Sequence, residues 1–152
     1  MEATIVKAPA SVEVKRVFQA PVAQVYRAWT EPEIMNAWFH PNKDMTSVCS
    51  ADLRVGGRYE VRMIPEEGGP FVVGGVYEEI VPEEKLAFTW RWQHDEGEEP
   101  NEETLVTLFF RAIDAGQTEV TLRHERFGSD EERDSHTWGW QETLNRLEEA
   151  LR

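Results

Sequence analysis

The sequence predicts a single α+β domain in which a curved antiparallel β-sheet wraps around a long C-terminal helix. Three observations carry this prediction. Between residues 45 and 127 apolar side chains recur at period two, in runs separated by short turns. After Ser129 the period changes, and Trp140, Leu144, Leu147 and Leu151 repeat at i, i+4, i+7 and i+11. The chain has 152 residues, which fits one domain and leaves little room for a second.

Val12, Val14, Val17 and Phe18 predict an opening strand over Ser11 to Phe18, rich in β-branched residues. It stops at Ala20-Pro21, where proline suits the first turn of a helix. Val22, Val25, Tyr26 and Trp29 then form a helical stripe. A second short helix is expected from Thr30, because Thr30 and Glu33 have capping-box spacing; its apolar residues are Ile34, Met35, Trp38 and Phe39. His40-Pro41-Asn42 closes it, since the residue before a proline resists the helical region.

Met45 to Leu53 reads as a strand with weak alternation, and Gly56-Gly57 punctuates the chain. Arg58 to Met63 alternates charged and apolar side chains, so one face is wet and the other buried. A turn at Glu66 to Pro70 leads into a strand from Phe71 to Val81, where Gly74-Gly75 signals a bulge or bend. After the turn at Pro82 to Lys85, Leu86, Phe88, Trp90 and Trp92 alternate strictly. Val106, Leu108 and Phe110 mark another strand, Asp114 to Gln117 a hairpin turn, and Val120, Leu122 and His124 the last strand. Ser129 and Glu132 have capping-box spacing at the start of the final helix, where acidic residues favour the positive end of its dipole. Consecutive strands joined by short turns make an antiparallel meander.

Composition narrows the functional classes. The net charge of −13, from 16 basic and 29 acidic residues, repels nucleic acid and anionic lipid. No nucleic-acid or membrane partner is therefore expected. No apolar run approaches the ~20 residues that span a bilayer. No signal-like N-terminal pattern is visible, so a cytoplasmic location is expected. Cys49 is the single cysteine and reads as a small buried hydrophobe in a strand. The acidic run Glu96, Glu98, Glu99, Glu102 and Glu103 reads as a solvated loop, and Asp130, Glu131 and Glu132 as a solvated helix start. No nucleophile elbow, P-loop or dinucleotide fingerprint occurs, nor metal-ligand spacing of the H-x-x-x-H or C-x-x-C kind. No catalytic residue, metal or cofactor is assigned.

The residues resemble the activator-of-Hsp90-ATPase-homologue-like (AHSA1-like) branch of the START/Bet v 1 superfamily, also called SRPBCC. The matching pieces are Pro21 with its helix, Thr30-Glu31-Pro32 leading to Trp38, Gly56-Gly57-Arg58-Tyr59 and Gly75-Val76-Tyr77-Glu78. Pro82 to Leu86, Phe88-Thr89-Trp90, Thr118 to Leu122 and Gly139-Trp140 with Leu144 and Leu147 complete them, so that the resemblance runs from Val14 to Leu151. It implies a helix-grip fold with a cavity between sheet and helix, which the two short helices help to close. It also implies a hydrophobic small molecule as partner, since the wider superfamily binds lipids, sterols and polyketides and includes a few cyclases and hydrolases. Fold alone does not fix chemistry.

The 6 Trp, 3 Tyr and 7 Phe residues are the most informative set. Trp38, Tyr59, Tyr77, Phe88, Trp90, Trp92, Phe110 and Trp140 are candidate ligand contacts, with Phe39 and Trp138 beside them. Rings in these positions either line a preformed pocket or fill a solid core; the pocket rests on the resemblance. Gly139 lies between two tryptophans inside a helix, where glycine costs roughly 1 kcal/mol relative to alanine. Close approach of a ligand or strand, or local packing, would account for it. His124 shares the parity of Leu122, and His136 lies on the helix face of Trp140. Together they are a polar anchor for the ligand or a proton-transfer pair, or else two satisfied core histidines. His40 and His94 are expected at loop edges, and Glu78 with Arg91 as a polar pair on the sheet.

The leading expectation is a binding protein for a hydrophobic ligand, with two rivals. One is a cyclase- or hydrolase-like enzyme using the histidines. The other is a chaperone-interaction module, which the family name suggests. An Hsp90 interaction is doubtful, because the separate N-terminal domain of the eukaryotic cochaperone has no counterpart here and the charge offers no basic docking surface. Monomer and homodimer are both compatible with the sequence.

Overall fold

The structure is a computed structural model that describes residues 10–93 and 103–152. His94 and the acidic run other than Glu103 lie outside the described residues. The order is β1 (Ala10–Phe18), α1 (Val22–Thr30), α2 (Pro32–Met35), β2 (Thr46–Ala51), β3 (Arg58–Ile64), β4 (Phe71–Val81), β5 (Lys85–Trp92), β6 (Thr104–Asp114), β7 (Gln117–Phe127) and α3 (Asp130–Ala150). All neighbouring strands are antiparallel, in the order β1-β7-β6-β5-β4-β3-β2. The meander from β2 to β7 thus takes the opening strand onto its far edge. This curved sheet around a C-terminal helix is the expected helix-grip architecture.

Strand parity decides what is buried. Tyr59, Val61 and Met63 of β3 point inward, as do Val106, Leu108 and Phe110 of β6 and Val120, Leu122 and His124 of β7. Strand β5 departs from simple alternation, because Ala87 and Thr89 are buried along with Leu86, Phe88 and Trp90. The cause lies partly in β4. A Cβ on Gly75 would stand 2.1 Å from the Thr89 carbonyl oxygen, so only glycine lets β5 come this close. The Thr89 hydroxyl oxygen accepts from the Val76 N–H at 2.8 Å, and its carbonyl accepts from the Tyr59 hydroxyl at 2.6 Å. The register shift in β4 itself falls between Tyr77 and Glu79, beyond the glycines.

Several local expectations are corrected. Thr30 ends α1 rather than capping α2: its hydroxyl donates to the Tyr26 carbonyl at 3.0 Å. Helix α2 is a single turn beginning at Pro32, and β2 is shorter than Met45 to Leu53. His40 lies in the connection between α2 and β2 but is buried rather than exposed. Its Nδ1 lies 2.8 Å from the Ser47 hydroxyl oxygen, whose proton goes to the Phe39 carbonyl. Arg91 faces Glu103 at 3.6 Å instead of Glu78.

The cap on α3 is as expected, with the Ser129 hydroxyl accepting from the Glu132 N–H at 3.2 Å. Burial along this helix is lopsided. Most side chains before Trp140 are exposed or half-buried, whereas Trp140, Thr143, Leu144 and Leu147 are buried in the core. The buried half packs mainly over β1, where the Arg16 guanidinium donates to the Asn145 side chain at 2.7 Å.

Candidate functional site

A pocket of about 360 Å³ opens between the first half of helix α3 and the sheet. One wall is the segment after α2, with Phe39, Pro41, Asn42 and Met45; the floor is Met63, Phe71, Trp90 and Trp92 from β3, β4 and β5. The opposite wall is α3 itself, through Ser135, His136, Trp138, Gly139, Trp140 and Thr143. No lining side chain carries a formal charge when the histidine is neutral.

Gly139 faces open space. A Cβ built on it meets no atom within 4 Å, so neither a strand nor local packing requires glycine at this point. The packing explanation is thereby removed, and the helix simply opens this part of the wall to the pocket. Trp138 and Phe71, at 53% and 50% exposure, stand at the mouth.

Of the predicted contact residues, Trp90, Trp92, His136 and Trp140 meet at this pocket. Phe39 and Trp138, weighed beside them, line it too. Trp38, Tyr59, Tyr77, Phe88, Phe110 and His124 do not line it. Trp38 packs edge-on to Trp29 at 4.6 Å and donates its indole N–H to the Ala28 carbonyl. Tyr59, Tyr77 and Phe88 form an aromatic cluster further down the sheet, and Phe110 packs edge-on against Tyr26 at 5.5 Å. Sequence reasoning missed Pro41, Asn42, Met45, Met63, Phe71, Ser135 and Thr143. Met63 alone carried a signal, its inward parity in β3.

His136 of the pocket wall meets His124 behind it, with ring centroids 5.1 Å apart. The Trp140 indole donates to His124 Nδ1 at 2.9 Å, and indole N–H can only donate. The neutral ring therefore carries its proton on Nε2, which donates to the Thr104 hydroxyl oxygen at 2.6 Å. Thr104 in turn donates to the Trp90 carbonyl at 3.1 Å. His136 is the mirror case. Its Nε2 accepts from the Trp92 indole at 2.9 Å, leaving Nδ1–H to donate to the Glu132 carbonyl at 2.7 Å. All four ring nitrogens are engaged.

Burial holds both rings neutral. Desolvation lowers His124 to about 2, and the neighbouring His136 adds to the shift. Desolvation also lowers His136, opposed in part by its bond to the Glu132 carbonyl. His40 is lowered by burial and by the charge of Arg146. Burial pushes the Cys49 thiol up to about 12. Among the described residues no group of three or more His, Cys, Asp or Glu side chains could hold a metal ion. No helix there is long and apolar enough to cross a membrane.

Comparison with solved structures finds the same fold in bacterial proteins. Protein CV1439 from Chromobacterium violaceum is 26% identical, with a TM-score of 0.79 over 94% of this chain and 98% of that one. Protein NE0264 from Nitrosomonas europaea is 28% identical, with a TM-score of 0.76 over 96% of both chains. The AHSA1 protein from Silicibacter pomeroyi, at 23% identity, aligns with a TM-score of 0.81 over 93% of this chain and 97% of that one. No curated protein matches the chain. Residues 19–152 match the family described as activator of Hsp90 ATPase homolog 1-like protein. That match covers every element from α1 to α3, and the chain belongs to this family.

Proposed function

We propose that this protein binds an apolar small molecule in the pocket beneath the first half of α3. The observation that carries the reading is the lining: Phe39, Phe71, Trp90, Trp92, Trp138 and Trp140 surround about 360 Å³, a size suited to a small organic ligand. Gly139 supports it, since a helix that keeps an unfavourable residue facing open space leaves that space unfilled. Membership of a family whose fold commonly accommodates hydrophobic ligands points the same way. The enzymatic rival has less support. A general base needs a free lone pair, and both histidine lone pairs accept from indoles.

The test is occupancy. Native mass spectrometry of freshly purified protein should show a co-purified small molecule or, with the empty protein, uptake of apolar organic compounds that alters tryptophan fluorescence. Gly139→Leu should abolish that uptake with the fold intact. Uptake unchanged in Gly139→Leu would sink the proposal.

A further inference from the structure

Resting on that reading of the pocket, we infer that its occupant is an apolar organic cation, such as a quaternary ammonium carried on hydrocarbon groups. Six aromatic side chains line the pocket at mixed inclinations, with Phe39 nearly parallel to Trp90, 23° apart at 6.1 Å, and others inclined. Trp90 and Trp92 stand at 88° with centroids 5.6 Å apart, and Trp140 is tilted 49° from Trp90 at 5.0 Å. An aromatic ring is electron-rich on its face, and a pocket lined by several such rings attracts positive charge. A quaternary cation suits such a box because it is weakly hydrated and needs no hydrogen-bond acceptor. The lone pair of the pocket's histidine, on His136 Nε2, is taken by Trp92, which leaves Asn42, Ser135 and Thr143 as the lining side chains with an acceptor oxygen.

The surroundings select the same sign. No lysine or arginine lines the pocket. The groove that adjoins it through Pro41, Asn42 and Met45 carries Asp44, Glu66, Glu67 and Glu142 against Lys43 and Arg146. Both of those cations already face Glu149, at 4.0 and 3.0 Å. The chain as a whole carries −13, so its field draws cations toward an aromatic mouth and repels anions. A neutral ligand would gain the same apolar burial but nothing from this field.

The experiment compares benzyltriethylammonium with its neutral carbon isostere, in which a quaternary carbon replaces nitrogen. Binding to the full chain is followed by tryptophan fluorescence and calorimetry. The cation should bind roughly tenfold or more tightly than the isostere. Its affinity should fall with added salt while that of the isostere does not. Trp138→Ala, at an exposed position that the fold does not need, should weaken the cation more than the isostere. Equal or tighter binding of the isostere overturns the cation and leaves the apolar pocket standing. Cation binding that ignores both Trp138→Ala and Gly139→Leu is surface adsorption and overturns it as well. If neither compound binds, the cation and the pocket fall together.

Discussion

Trp140 and His124 are locked by a single hydrogen bond, from indole N–H to Nδ1 at 2.9 Å, and the helix is thereby fastened to the last strand through two buried rings. Because the indole only donates, this contact also fixes the imidazole tautomer and, through it, the Thr104 link to the Trp90 carbonyl. Removing the donor leaves a buried acceptor unsatisfied, which costs about 1–3 kcal/mol. Trp140→Phe should destabilise the protein by at least that amount, and a double-mutant cycle with His124→Phe should be non-additive. Additive effects in denaturant unfolding would show that the bond carries no coupling.

The same histidine makes stability depend on pH. Its pKa falls from about 6.5 in the unfolded chain to about 2 in the folded one. The unfolded state thus takes the proton first. The stabilisation is complete above pH ~6.5 and is lost progressively as pH falls toward the folded value, by up to about 1.4 kcal/mol per pH unit for one proton. His40 and His136 are lowered too and act in the same direction. Between pH 6.5 and 4.5, the drop in unfolding free energy should be visibly shallower in a His124→Gln variant than in the parent.

Two glycine substitutions should differ in sign. Gly139→Ala adds a methyl where nothing lies within 4 Å and should stabilise the helix by about 1 kcal/mol. Gly75→Ala drives a methyl into the Thr89 carbonyl at 2.1 Å and should cost several kcal/mol or prevent folding. Thermal unfolding of the pair is sufficient to check both.

Cys49 should be chemically silent in the native state. It is buried, and its thiol is pushed up to about 12 by desolvation, so almost no thiolate exists near neutral pH. A thiol-reactive dye at pH 8 should label it only at the rate of unfolding; prompt labelling of the folded protein would contradict its placement.

Much of this architecture was legible in the residues. The alternation of Arg58 to Met63, the Ser129 cap and the Trp140 to Leu151 stripe each lie within one element and reflect one period. What stayed hidden depends on long-range placement. Inward parity puts Tyr59, Phe88 and Trp90 on one face, but does not say how far along the sheet the pocket begins. Tyr59 and Phe88 therefore fill the solid part, with ring centroids 5.1 Å apart, while Trp90 reaches the opening. Gly74-Gly75 hinted at irregularity, yet the register shift falls after Tyr77, because the glycines serve the close passage of β5. Thr30 had a competing local partner in the Tyr26 carbonyl, and capping spacing cannot rank the two. The histidine tautomers rest on indoles 16 and 44 residues away in sequence.

The uneven burial of α3 makes it a cantilever. Its second half is clamped in the core, while its first half overhangs the pocket with the His136–Trp92 bond as a strut. Deflection of such a beam concentrates at the clamp, close to Gly139, where no neighbouring side chain resists bending. Amide hydrogen exchange should therefore be graded along the helix, fast before Gly139 and slow after Trp140.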